Sequence, residues 1–130
     1  MSGEEDLSVL IGSLAPVLDA EFYTFATVAE EQLKSLDRPI GIFREAEGVS
    51  VICTKARAEA LHLKSAGTFR KISLTIHSSL DAVGLTARVS AALASRGIAC
   101  NVVAAFHHDH LFVPAERAEE AREILSGLKY

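Results

Sequence analysis

The stretch Asp81-Ala82-Val83-Gly84-Leu85-Thr86-Ala87-Arg88-Val89-Ser90-Ala91-Ala92-Leu93-Ala94-Ser95-Arg96-Gly97-Ile98-Ala99-Cys100-Asn101-Val102 decides the fold. Leu85, Val89, Ala92 and Leu93 recur at helical spacing, which predicts an amphipathic helix over 82–96. Asp81 stands where an N-cap is wanted, and Gly97 stands at the C′ position. Ile98 to Phe106 is apolar and β-rich, so a strand follows. Upstream, Phe69 to His77 alternates: Ile72, Leu74 and Ile76 point one way and Lys71, Ser73 and Thr75 the other, the pattern of a half-buried strand. Downstream, Leu111 to Val113 is a shorter strand. Pro114 then opens a helix with Glu116 in its first turn and Ala118, Ala121, Leu125 and Leu128 on its buried face. The order is β, α, β, β, α.

The first half of the chain repeats that order. Leu7, Leu10, Ile11 and Leu14 predict a leading helix over 3–14, with Ser2 and Glu5 placed as a capping box and Pro16 just past the end. Glu21 to Val28 reads as a strand, and Ala29 to Asp37 as a short helix or turn. Ile40 to Arg44 and Val49 to Thr54 read as a hairpin about Glu45-Ala46-Glu47-Gly48. Lys55 to Leu63 reads as a helix that Lys64-Ser65-Ala66-Gly67 ends. A unit recurring at about 50 residues marks a duplication. The expected fold is therefore α+β: a tandem pair of βαββα units, with a first domain over 1–66 that carries the extra helix and a second over 67–130. Each unit leaves a sheet edge open, which self-association to a homodimer would cover.

Composition narrows the class of partner. Of 130 residues, 49% are hydrophobic and 23% charged, ordinary values for a globular chain. The net charge of −4, without a Lys/Arg cluster, argues against nucleic acid. No apolar run reaches the length of a signal core or a membrane span, so a cytoplasmic protein with no membrane partner is expected. Cys53 and Cys100 each sit in an apolar strand-like run and read as two small buried thiols, with a disulfide left open. His62 reads as a surface residue. Glu116, Glu119, Glu120 and Glu123 form a solvated helix face beside Arg117 and Arg122.

The quoted stretch resembles the signature of the ACT domain, Asp-x-x-Gly-Leu, a helix, then Gly-Ile and a strand. With His77-Ser78-Ser79-Leu80 ahead of it and His107-His108-Asp109-His110-Leu111-Phe112-Val113-Pro114 behind, the chain is similar to a bacterial family of stand-alone tandem ACT-like proteins. That family is related to the arginine-sensing CASTOR proteins. The resemblance covers 69–128 by motif and 20–65 by element order and the hairpin glycine. It implies a ferredoxin-like fold and a regulatory module that binds a small molecule of the amino-acid class, with no catalysis and no cofactor. Val83 stands where a Pro usually precedes the Gly, and the first half has no Asp-x-x-Gly-Leu, so one site per pair of units is expected.

Ser78 to Gly84 would join a strand to a helix N-terminus, where orphan N–H groups and the positive end of the dipole suit a carboxylate. Gly84 permits close backbone approach, and Ser78, Ser79 and Asp81 could meet the ammonium or side chain of an amino acid. Asn101 offers an amide on the following strand, expected to neighbour the strand ahead of the loop. The expected ligand-binding set is Ser78, Ser79, Leu80, Asp81, Val83, Gly84, Asn101 and Val102. The plain alternative makes Asp81 a cap, Gly84 a packing residue and Asn101 an edge amide. His107, His108, Asp109 and His110 are metal-ligand types, but an extended run splits them between two faces. They converge only in a tight turn, with His77 as a fourth, and no metal is expected. The competing functions are a metal-dependent enzyme built on 107–110 and a ligand-free dimerisation domain.

Overall fold

A computed structural model describes residues 5–76 and 80–128. The first helix is shorter than 3–14: α1 spans Leu7–Gly12, and its N-cap is Asp6, whose carboxylate accepts from the Ser8 backbone N–H at 3.0 Å and the Ser8 hydroxyl at 2.7 Å. Ser2 lies outside the described residues. Pro16 does more than stop the helix. It opens a short strand, β1 (Pro16–Leu18), which pairs antiparallel with a later strand through Pro16↔Leu74 and Leu18↔Ile72. A proline is tolerated there because an edge strand need not offer every N–H to a neighbour.

β2 (Tyr23–Val28) leads to a 3₁₀ helix over Glu30–Leu36, where the Gln32 side chain turns back to accept from the Ala29 backbone N–H at 2.7 Å. β3 (Gly41–Glu45) and β4 (Gly48–Thr54) form the expected hairpin, and α2 (Lys55–Ala60) is capped by Thr54 Oγ1, which accepts from the Arg57 N–H at 3.2 Å. The segment Lys64-Ser65-Ala66-Gly67, expected to be a loop, instead begins the eleven-residue strand β5 (Lys64–Leu74). It pairs with β2 through Thr27↔Lys64 and Phe25↔Ala66, and the register shifts between Tyr23 and Phe25. Gly67 makes that shift possible. Its φ is +80°, and a Cβ there would sit 2.4 Å from the Phe69 ring. The Thr24 hydroxyl bridges the irregularity, 2.7 Å from the Gly67 carbonyl.

α3 (Leu85–Ala94), β6 (Asn101–Ala104), β7 (Asp109–Pro114), a 3₁₀ turn over Ala115–Arg117 and α4 (Ala118–Ser126) complete the chain. The expected elements are all there, with later starts and earlier ends than 82–96 and 98–106 suggest.

The chain forms two compact units, and they do not follow a cut at 66/67: one is contiguous, 21–69, and the other joins 1–20 to 70–130. The reason is physical. Leu10, Ile11 and Leu14 are buried in one core with Ile72, Leu74, Leu85, Val89, Leu93, Leu111, Val113, Ala118, Ala121 and Leu125, so the N-terminal segment belongs with the second half. In this discontinuous unit the strands run β1-β5-β7-β6. Taken from β5, the elements read β, α, β, β, α, and β1 supplies the last strand beside the first. The contiguous unit runs β3-β4-β2-β5, again with the last strand beside the first and the third beside the second. Both are ferredoxin-like sheets, each with its own helices and core. The contiguous unit's core is smaller: Ala26, Val28, Leu36, Val49, Val51, Cys53 and Ala58.

Candidate functional site

The end of β5 and the start of α3 frame the loop singled out by sequence. His77, Ser78 and Ser79 lie outside the described residues, so the loop is seen from Leu80 onward. Asp81 is not the N-cap of α3. That position belongs to Gly84, in the left-handed conformation with φ +99° and ψ −13°, and no side chain caps the helix there. The first intrahelical bond runs from the Arg88 N–H to the Gly84 carbonyl at 2.9 Å, so the amides of the first turn have no intrahelical acceptor. A Cβ on Gly84 would meet Leu7 Cδ2 at 3.1 Å, which places α1 close under this helix end. Leu80 and Val83 are 67% and 85% exposed, two large apolar side chains held in water on either side of Asp81.

Asn101 and Val102 open β6, but β6 is not the neighbour of the strand ahead of the loop. β7 stands between β6 and β5. At the usual strand spacing this sets β6 about 10 Å from β5. Asn101 faces Phe112 in the β6–β7 ladder and donates its side-chain amide to the Phe112 carbonyl at 3.3 Å, while Val102 packs against the core shared with α3.

The histidine run forms a turn. The Ala105 N–H donates to the His108 carbonyl at 3.1 Å, and β7 begins at Asp109. His110 Nδ1 is 2.7 Å from Ser73 Oγ, whereas the His108 and His110 rings stand 6.5 Å apart and nearly perpendicular. Among the described residues no group of three or more His, Cys, Asp or Glu side chains converges as a metal site would require. Burial, with Lys71 and His108 adding positive charge nearby, holds the His110 imidazole below the usual histidine pKa against a smaller opposing pull from Asp109. A group whose pKa is depressed in the folded state binds fewer protons there than in the unfolded chain. Stability contributed by neutral His110 is therefore complete above the ordinary histidine pKa, about 6.5, and is lost as pH falls through the folded value. Unfolding midpoints measured between about pH 5 and 8 are expected to fall on the acid side in the wild type and to fall less in His110→Gln.

Cys53 and Cys100 are both free thiols. Burial pushes the Cys100 thiol up to about 11, which leaves little thiolate at neutral pH. The described part of the candidate site therefore presents a helix start without a side-chain cap, one exposed carboxylate and two exposed apolar side chains.

Comparison with known proteins agrees with the topology. Family profiles of the ACT domain match residues 2–70 and, in a second version, residues 65–127. Comparison with curated proteins gives no match. Among solved structures, a Vibrio cholerae protein of unknown function, described as a possible transport protein, is 41% identical over 93% of this chain and 94% of its own, with a TM-score of 0.83. A protein from Agrobacterium tumefaciens is 22% identical over 82% of this chain and 81% of its own, with a TM-score of 0.67. The regulatory subunit of aspartate kinase from Thermus thermophilus, without ligand, shares the fold at 13% identity, covering 91% and 99% of the two chains with a TM-score of 0.67. The two ferredoxin-like units are thus two ACT domains in tandem, and the chain belongs to the ACT domain family.

Proposed function

We propose that this pair of ACT domains is a regulatory module that takes a small zwitterion of the amino-acid class at the loop ahead of α3 and carries out no reaction of its own. The observation that supports it is the uncapped start of α3. A helix N-terminus whose N-cap is a glycine offers its amides to an external acceptor, and a ligand carboxylate is such an acceptor. Asp81 supplies the opposite charge for an ammonium, and Leu80 and Val83 give the ligand's side chain an apolar wall. Ser78 and Ser79 belong to the same proposed loop. With one Asn101 amide N–H donated to the Phe112 carbonyl, its Oδ1 serves as an acceptor for a ligand that extends toward β6, where Val102 lines the core side.

Edge strands give the module a means of output. β3 ends one strand order with Phe43 72% exposed and Ile42 half exposed, and β6 ends the other. A second copy that covered such an edge would make the homodimer, and ligand would act by favouring one assembly. No helix among the described residues is long and apolar enough to cross a membrane. Two free thiols suit a reducing compartment, so we place the module in the cytoplasm.

A thermal-shift screen of the common amino acids and nucleotides tests this reading, with sedimentation velocity run with and without each hit. One or a few amino acids are expected to raise the melting temperature. Ligand at a hundred times its Kd adds about 2.7 kcal/mol to stability. If no amino acid moves the midpoint while the chain sediments as a dimer, the ligand-free dimerisation domain is the correct reading.

A further inference from the structure

We infer that the contiguous unit, which lacks the Asp-x-x-Gly-Leu loop, carries a separate site for a small oxyanion, free phosphate or the carboxylate of a small metabolite, held by Arg38 and Arg57 over Thr54 and Cys53. A cavity of about 160 Å³ lies here, lined by Asp37, Arg38, Pro39, Cys53, Thr54 and Arg57 among others. It sits where β4 ends opposite the start of β2, since Tyr23 pairs with Thr54. The turn from β2 into the 3₁₀ helix, the counterpart of the loop ahead of α3, is at the other end of the same strands.

Charge in the cavity is unbalanced toward the cationic. Two arginines, Arg38 and Arg57, and one carboxylate, Asp37, line it. Arg38 has no hydrogen bond or ion pair among the described residues. Arg57 reaches Asp37 only at 3.6 Å, and the two side chains are 41% and 72% exposed, so the pair is loose and able to admit a third partner. Thr54 Oγ1 already accepts from the Arg57 N–H, which leaves its hydroxyl hydrogen to donate. Asp37 and Arg38, both lining the cavity, adopt left-handed backbone with φ of +52° and +65°. Cys53 closes the floor: it is buried, and Arg57 partly offsets the rise that burial imposes on its thiol, so the guanidinium field reaches the bottom.

This donor set recognises an oxyanion because a planar guanidinium offers paired N–H donors that match two oxygens of a carboxylate or phosphate. A second guanidinium and a hydroxyl complete the shell without desolvating an unpaired charge. Sequence reading passes over these residues because Arg38 and Arg57 belong to no motif. The hairpin of β3 and β4 is what returns the chain to the same place.

The test is a titration of the full chain with inorganic phosphate and, separately, acetate, read by backbone amide shifts. Saturable shifts confined to residues 36–40 and 53–57 are expected. Response to phosphate alone assigns the site to phosphate, and response to both extends it to carboxylates. Arg38→Asn removes the guanidinium with a residue that tolerates left-handed backbone, so the fold is kept. It should weaken binding about tenfold or more, a factor equal to about 1.4 kcal/mol. Asp81→Ala, in the loop ahead of α3, should leave this titration unchanged, so the two sites stand or fall separately. Absence of saturable shifts with either anion, or unchanged affinity in folded Arg38→Asn, overturns the assignment.

Discussion

A fragment cut to residues 67–130 is expected not to fold, although the repeat in the sequence places a domain boundary there. The cut removes Leu10, Ile11 and Leu14, all buried in the core of the discontinuous unit, and it removes β1, the strand that covers one edge of β5. Fully burying one such side chain stabilises by about 1.5–3 kcal/mol. Three of them together amount to a large part of the roughly 5–15 kcal/mol that holds a whole domain. The vacated space would also open Ile72 and Leu74 to water along the exposed strand. Circular dichroism and amide shift dispersion should report a collapsed or unfolded chain, and a peptide of residues 5–20 added in trans should restore cooperative melting. Cooperative melting of 67–130 alone would show instead that the N-terminal segment is an accessory.

The same interleaving explains what the sequence could and could not disclose. Periodicity exposes the long elements, because a buried stripe such as Leu85, Val89 and Leu93 must repeat at helical spacing. It fails at β1, where three residues beginning with proline carry no alternation, and at Lys64 to Gly67, where β5 is held by backbone pairing and its side chains are small or exposed. A helix start is legible only by its capping residue, and here Asp81 has the right chemistry while Gly84 has the position, with no side chain to betray it. Strand order is a tertiary property, so Asn101 could be placed on a strand but not given its neighbour. The loop residues Leu80, Asp81, Val83 and Gly84 are recognisable as a group because they fall within one short run of sequence. The residues around Arg38 and Arg57 come together only through the hairpin.

Gly84→Val is expected to lower stability and remove ligand binding together, and the two effects can be separated. A φ of +99° costs a residue with a Cβ about 1–2 kcal/mol, more when it is β-branched, and the new Cβ would press on Leu7 Cδ2 at 3.1 Å. Some of that cost is relieved because the Leu7 side chain can rotate away. Gly84→Asn supplies a Cβ with much less backbone strain, since asparagine tolerates left-handed conformations. If a carboxylate docks on the α3 amides, both variants should lose affinity when measured by calorimetric titration below their melting temperatures. Only the Val variant should show a large fall in midpoint. Asp81→Ala gives the complementary pattern. Because Gly84 occupies the cap position, removing the exposed Asp81 carboxylate should lower the midpoint less than Gly84→Val does. A loss of amino-acid affinity at nearly constant midpoint would then mark Asp81 as the partner of the ammonium. Wild-type affinity in folded Gly84→Asn would mean that the ligand's carboxylate is held somewhere other than the start of α3.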